Sequence, residues 1–324
     1  MTDGAPGPGE GRTGDDDVPD ITRSGVTVVI PTRDRDQLLL RALEGIGAQD
    51  VPCPLEIIVV RDGTDVVPLA PAFPRRVALR QIVNRRTPGL AGTRNTGILA
   101  ATHPLIAFCD DDDEWVPGKL AAQLELLRAH PEASLVATGI VVVHGSTPTP
   151  RPGPGGPVRL EDLLADRIME LHPSGFLLRA ADLRGRIGLV DEELPGSYGE
   201  DYDLLLRAAA VGPVLSVPRP LTRVHWHGGS YYFSRWRTIH DSLEMILAKH
   251  PGFREVPRGA ARIRGQQALA LAAMGRRREA LRVALGCLRL SRRERRAYLA
   301  VVVALRLLSV ERLQGWLHRQ GRGL

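Results

Sequence analysis

Cysteine is scarce in this 324-residue chain and arranged for neither cross-linking nor metal binding. Cys53, Cys109 and Cys287 are widely spaced, odd in number and outside any C-x-x-C pattern. No disulfide scaffold or structural zinc site is expected, and a reducing cytoplasm is the simpler compartment. Long apolar runs are missing too. The longest near the end, A-Y-L-A-V-V-V-A-L, stops at Arg306, well short of the ~20 residues that span a bilayer. Residues 1–20 are rich in Gly, Pro and Asp, so no secretory leader is expected. Aromatic residues make up only 4% of the chain. Beyond Phe253 the C-terminal region has just Tyr298 and Trp316, too few for a base-stacking nucleic-acid surface. Neither G-x-x-x-x-G-K-[ST] nor G-x-G-x-x-G follows any predicted strand, which removes both common glycine-rich phosphate cradles.

What is present reads as an ordinary globular chain, 43% hydrophobic and 25% charged, with room for one large domain or two smaller ones. Its charge is uneven. Residues 251–324 carry 17 Arg, no Lys and 4 Glu, a balance of +13, so a net charge of +6 leaves −7 on residues 1–250. Two regions of opposite character imply two jobs. The basic one has the composition to meet an anionic membrane surface or an acidic partner.

Residues 1–24 are too polar and too rich in Gly and Pro to bury a core, and a disordered tail is expected there. From residue 26 a strand–helix rhythm begins. Apolar runs predict buried strands over 26–30, 55–60, 77–83, 105–109 and 134–143. Between them, 34–48 has apolar residues at helical spacing, and Pro117 opens another helix. This alternation predicts a three-layer α/β domain over 25–250 with a largely parallel sheet. The Gly- and Pro-rich stretch 145–157 reads as a flexible loop, placed as a lid or acceptor-side loop. A helix is expected near 201–210 and two short strands near 214–217 and 221–225. From 251 onward the pattern is helical and basic; A-L-A-L-A-A-M-G-R-R-R-E-A-L-R-V-A-L resembles a tetratricopeptide hairpin without its full signature.

Three polar motifs begin where buried strands end: P-T-R-D-R at 31–35, R-D-G-T-D at 61–65 and D-D-D-D at 110–113. Open α/β sheets bind ligands outside the carboxyl ends of their strands, so these segments are expected in one crevice. Neighbouring carboxylates about 6 Å apart repel by roughly 3 kcal/mol at an effective dielectric of about 20. A quartet kept beside the core therefore calls for a cation. If the chain stays extended past Cys109, Asp110 and Asp112 share a face and form a D-x-D pair for Mg²⁺ or Mn²⁺. Arg94 is then available to an anionic ligand, or else pairs with a nearby carboxylate.

The motifs V-T-V-V-I-P-T-R-D-R, I-I-V-V-R-D-G-T-D, A-G-T-R-N-T-G-I, F-C-D-D-D-D-E-W-V-P-G-K-L and G-E-D-Y-D-L-L-L-R-A occur in the order and spacing of a known family. Over about 26–230 the chain resembles the family 2 glycosyltransferases, which have the GT-A fold. The resemblance implies an inverting, non-processive, metal-dependent enzyme moving a sugar from a nucleotide-diphospho-sugar, a UDP-sugar by preference, to an acceptor hydroxyl. It implies that Pro31, Thr32 and Arg33 line the nucleotide pocket and that Asp62 accepts a hydrogen bond from the base. Asp110 then lies near the ribose or sugar, Asp111 joins the substrate-binding set, and Asp112 holds the ion with Asp110. Asp201 matches the general base. His227, or less favourably His225, completes the metal shell. Arg61 departs from the family, which has Asp at that position, and the Q/R-x-x-R-W signature of processive synthases is missing.

Plainer readings stand beside these. The quartet fits a solvated helix start, Asp62 a turn, Asp201 a helix cap, and both histidines ordinary packing. A sugar nucleotidylyltransferase is disfavoured, since P-T-R-D-R is not its Gly-rich loop. A catalytically silent module acting through the basic helices is the reading from another class.

Overall fold

The first strand, β1 (Val26–Thr32), is buried along its whole length, as is β2 (Leu55–Arg61). Runs without polar alternation behave this way when both faces of a sheet are covered. In the computed structural model, residues 20–313 are described except 64, 70, 72, 146, 227–234 and 311. Between the first two strands, α1 (Asp36–Gly47) buries Leu39, Ala42, Leu43 and Ile46 on one face. There follow β3 (Val77–Val83), α2 (Leu90–Ala100), β4 (Leu105–Phe108), β5 (Glu114–Trp115) and α3 (Lys119–Ala129). The middle of the chain forms β6 (Leu135–His144), β7 (Thr147–Arg151), α4 (Leu160–Ala165), β8 (Leu177–Arg179), α5 (Ala180–Arg184), α6 (Glu200–Val211) and β9 (Val214–Trp226). There follow α7 (Trp236–Lys249), α8 (Pro257–Ala273), α9 (Arg277–Leu290) and α10 (Arg295–Ala304).

The described strands form one sheet in the order β3-β2-β1-β4-β8-β6-β9-β5, with β7 beside β6. β3, β2, β1 and β4 are parallel, and β8 runs antiparallel between β4 and β6. The sheet is thus mixed, and its parallel ladder is concentrated where the three polar motifs emerge. Alternate side chains feed two cores. Val29, Ile58, Val60, Ile106 and Phe108 pack with Ile98, Leu163 and Leu204, whereas Val28, Ile30, Ile57, Val59 and Ala107 pack with Leu39, Leu43 and Leu120. That division makes three layers. Each fully buried aliphatic side chain contributes about 1.5–3 kcal/mol relative to exposure.

Two expected elements are corrected. Residues 147–151 are not open loop but strand, paired antiparallel with β6 from Ile140↔Arg151 to His144↔Thr147. Pro148 and Pro150 are tolerated because a sheet edge does not need every N–H. The two short strands expected after 213 are one, β9, with a register break opposite Gly139. A β-carbon on Gly139 would lie 2.8 Å from the Pro218 carbonyl, so the break depends on a bare backbone there.

The basic region is packed against this domain. Ala261, Ala268, Ala272, Ala280, Ala284, Cys287 and Ala300 make a small-residue core among α8, α9 and α10. Ala260 and Ile263 on α8 belong instead to the main core with α4 and α6. At Gly259 a β-carbon would stand 1.7 Å from the Leu164 carbonyl, so α8 meets α4 backbone to backbone. Among the described residues no helix is long and apolar enough to cross a membrane.

Candidate active site

The acidic quartet does not continue as a strand. Asp113 N–H donates to the Asp110 carbonyl at 3.1 Å, closing a turn over Asp111 and Asp112. The expected Asp110–Asp112 face is therefore lost, because four like residues in a row carry no periodicity to resist the turn. Asp111 is buried and accepts from the Thr32 hydroxyl at 2.7 Å. Burial pushes its carboxyl up to about 6, against the pull of Thr32 and Arg35. Asp112 pairs with Arg35 at 2.9 Å, and the same guanidinium nitrogen is 3.3 Å from Asp111.

Asp110 and Asp113 face each other across the turn, with His172 beside them. One ligand atom from each lies within 4.8 Å of the others. Asp113 accepts from the Ser174 hydroxyl at 2.6 Å and from the His225 N–H at 3.3 Å, while the Asp110 N–H donates to Ser174 at 3.0 Å. Burial, with the charges of Asp110 and Asp112, pushes Asp113 well above the carboxylate range. Burial also holds His172 below its ordinary value, which favours the neutral imidazole that ligates metals. Two carboxylates and an imidazole suit a small divalent ion, Mn²⁺ at least as well as Mg²⁺. A cation there would also relieve the repulsion that burial imposes on Asp113.

His225 turns its ring to Glu114, 3.0 Å away. His227 lies outside the described residues.

Arg94 links the two halves of the crevice. Gly97 seats α2 on β1, since a β-carbon there would come 2.3 Å from Val29. This places Arg94, only 1% exposed, between Asp110 at 2.5 Å and Glu200, while its guanidinium stands 5.7 Å from the Phe108 ring centre. Burial pushes Glu200 up to about 7, with Arg94 pulling the other way and Asp201 and Asp110 adding to the rise. Arg94 is thus paired within the protein instead of free for a phosphate.

Asp62 is held beside α2 as well, accepting from the Gly89 N–H at 3.0 Å and Asn84 at 2.9 Å. Arg33 is exposed, its guanidinium 4.0 Å from Asp62. Pro31 and Thr32 are buried at the end of β1. Arg61, where the resembled family has Asp, points away and ties Asp36 to Gln81 at 2.8 Å each. That substitution ties α1 to β3.

Asp201 lies in the first turn of α6 and does not cap it. Its carboxylate accepts from the Tyr202 N–H at 2.8 Å and pairs with Arg167 at 2.5 Å. Burial raises it, but Arg167, Arg94 and His172 outweigh burial and leave it below the usual range.

Sequence reading did not place Asp113, His172, Ser174, Glu200 or Arg167 in the candidate site. A groove of about 1030 Å³ between α3, the start of β9 and the end of α6 contains none of these residues.

Comparisons with known proteins bear on the family and the fold. The family model described as Glycosyl transferase family 2 matches residues 27–184. The glycosyltransferase YwdF of Bacillus subtilis (strain 168) is 32% identical over 200 residues, covering 60% of this chain and 71% of that protein. The amylovoran biosynthesis glycosyltransferase AmsE of Erwinia amylovora is 26% identical over 235 residues, 69% of this chain and 84% of its own. Among solved structures, S. aureus TarS 1–349 in complex with UDP-GlcNAc superposes with a TM-score of 0.58 at 16% identity, covering 92% of each chain. The mannosyltransferase PcManGT from Pyrobaculum calidifontis, in complex with GDP-Man and Mn²⁺, gives 0.54 at 18% identity, over 92% of this chain and 84% of that one. At these identities the structures speak for the GT-A fold.

Proposed function

The chain belongs to the family 2 glycosyltransferases, and from that premise we propose an inverting, single-transfer enzyme with Asp201 as its base. Its donor is a nucleotide-diphospho-sugar, a UDP-sugar by preference. One observation carries the reading. Arg94 bridges Asp110, at the end of the parallel strands, to Glu200, the neighbour of Asp201. Donor-side and acceptor-side carboxylates therefore border one crevice.

Asp201 takes the proton of the acceptor hydroxyl as its oxygen attacks the anomeric carbon. The new C–O bond forms while the bond to the diphosphate breaks, and the electron pair leaves on the diphosphate oxygen. One displacement inverts the centre, and no covalent sugar–enzyme link is needed. Asp110, Asp113 and His172 would hold a divalent ion, which when bound stabilises the leaving diphosphate as a Lewis acid. Asp62 and Pro31 border the nucleotide, while Thr32 and Arg35 hold the turn in place through Asp111 and Asp112.

A donor screen that scores release of free nucleoside diphosphate, with and without EDTA, tests the reaction. The expected result is release from a UDP-sugar that EDTA abolishes and Mn²⁺ restores. His172→Ala should raise the Mn²⁺ needed for half-maximal release by about tenfold or more. Asp112→Ala should change it little. The reverse pattern would move the ion to Asp112, and turnover indifferent to EDTA would remove it.

A further inference from the structure

Beside Asp201 the charge changes sign. Arg167 pairs with Asp201, and its guanidinium stands 5.8 Å from the Tyr202 ring centre. Arg262, carried in by α8, stands 5.2 Å from the same ring and donates to the Tyr202 hydroxyl at 2.7 Å. Its buried Nε has no hydrogen-bond partner; the nearest carboxylate, Asp166, is 3.8 Å away. Arg296, in the first turn of α10, adds positive charge that favours a lower value at both Tyr198 and Arg262, and Arg258 reaches Asp166 at 3.7 Å. The acids facing this group are Asp201, Asp166 and Glu294, the last bound to Arg296 at 3.4 Å. Arg94, paired with Glu200, stands on the other side of Asp201, and of the arginines named here Arg258, Arg262 and Arg296 come from the C-terminal helices.

Burial holds Arg262 below its ordinary value, and Arg167 and Arg296 add repulsion. Like charges gathered beside a core call for a counter-ion. The base raises the same demand. While Arg167 occupies Asp201, an acceptor hydroxyl has to displace it, and the displaced guanidinium needs an anion to go to.

We propose that Arg167, Arg262 and Arg296 form an acceptor subsite for phosphate. The acceptor is then a hydroxyl compound with a phosphate near the reacting oxygen, and that phosphate draws Arg167 off Asp201 as it binds. A phosphate presents three oxygens to guanidiniums arriving from three elements, which suits arginine's planar fork. This rests on Asp201 being the base.

The full chain is titrated with inorganic phosphate by calorimetry while nucleoside diphosphate and Mn²⁺ are present. Saturable binding is expected, weakened about tenfold in Arg262→Gln, the loss of one charge-assisted hydrogen bond. Arg296→Gln, at a more exposed position, gives the same reading if the first variant fails to fold. Transfer is then compared between glycerol and glycerol 3-phosphate. The phosphorylated acceptor should be preferred at least tenfold in kcat/KM, chiefly through KM, with the preference shrinking in both variants. No phosphate binding, binding untouched by either substitution, or equal use of the two acceptors would overturn the proposal. Full transfer by Asp201→Asn would instead sink the base assignment, and phosphate binding is read independently of it.

Discussion

The two sides of the crevice solve opposite electrostatic problems by different means. On the side proposed for the donor the surplus is negative and carried by short side chains within one turn, each held by a neighbour: Asp111 by Thr32, Asp112 by Arg35, Asp113 by Ser174. On the side proposed for the acceptor it is positive, carried by long side chains from the segment after α4 and from α8 and α10. Short acids on a strand end are fixed by backbone geometry. Long guanidiniums are placed by packing, and here the stacking surface is the single ring of Tyr202. The −7 and +13 regions read from the sequence therefore border one site.

Removing the group where the two sides meet should have the largest effect. Asp201→Asn deletes the proton acceptor while keeping shape and the Tyr202 N–H contact. Transfer should fall about 10²–10⁴-fold, the usual worth of base catalysis, with nucleotide affinity unchanged by calorimetry. A variant that turns over at the original rate would leave Asp201 as a mere partner of Arg167.

A packing change separates the sides next. Gly259→Val forces a side chain into the Leu164 carbonyl, so α8 must shift and Arg262 with it. Overpacking of this kind costs about 1–3 kcal/mol, which a melting curve reads as several degrees for a domain this size. Donor-side nucleotide affinity should hold while the KM for acceptor rises. Equal damage to both would mean that the helices support the whole domain and have no particular tie to the acceptor side.

The same contrast explains what was legible. β1, β2 and β4 were visible as apolar runs, and the motifs at their ends were visible as interruptions. The parallel pairing of these strands then brings segments roughly 80 residues apart together without further information. The turn at 110–113 was hidden, because identical residues give no face to either strand or turn. His172, Arg167 and Arg262 were hidden for another reason: their partners Asp113, Asp201 and Tyr202 lie 59, 34 and 60 residues away along the chain. Only tertiary packing defines those pairs. The basic helices read as a separate appendage because their composition reports a charge excess and not the face that α8 presents to α4.

The smallest expected effect concerns Lys119, a cation of the acidic half whose hydrogen-bond partner is an amide. Lys119 is fully buried, its ammonium nitrogen 3.7 Å from the Trp115 ring centre and donating to Gln123 at 2.8 Å. Burial lowers it to about 7, opposed only by Cys109. An unfolded lysine keeps its proton to about pH 10.4. Between pH 7 and that value the unfolded chain binds more protons than the folded one, so stability rises with pH, by up to about 1.4 kcal/mol per unit. Below pH 7 both states are protonated, and the full cost of burying the charge is present. Lys119→Met should remove that slope, and the difference between the two proteins is best taken from pH 7 to about 8.5, before thiols ionise. Urea midpoints that climb equally in both would show that this ammonium keeps its charge against the Trp115 ring. Its burial would then be sustained by the aromatic face, and Lys119 would join Arg94 as a permanent internal cation of the acidic half.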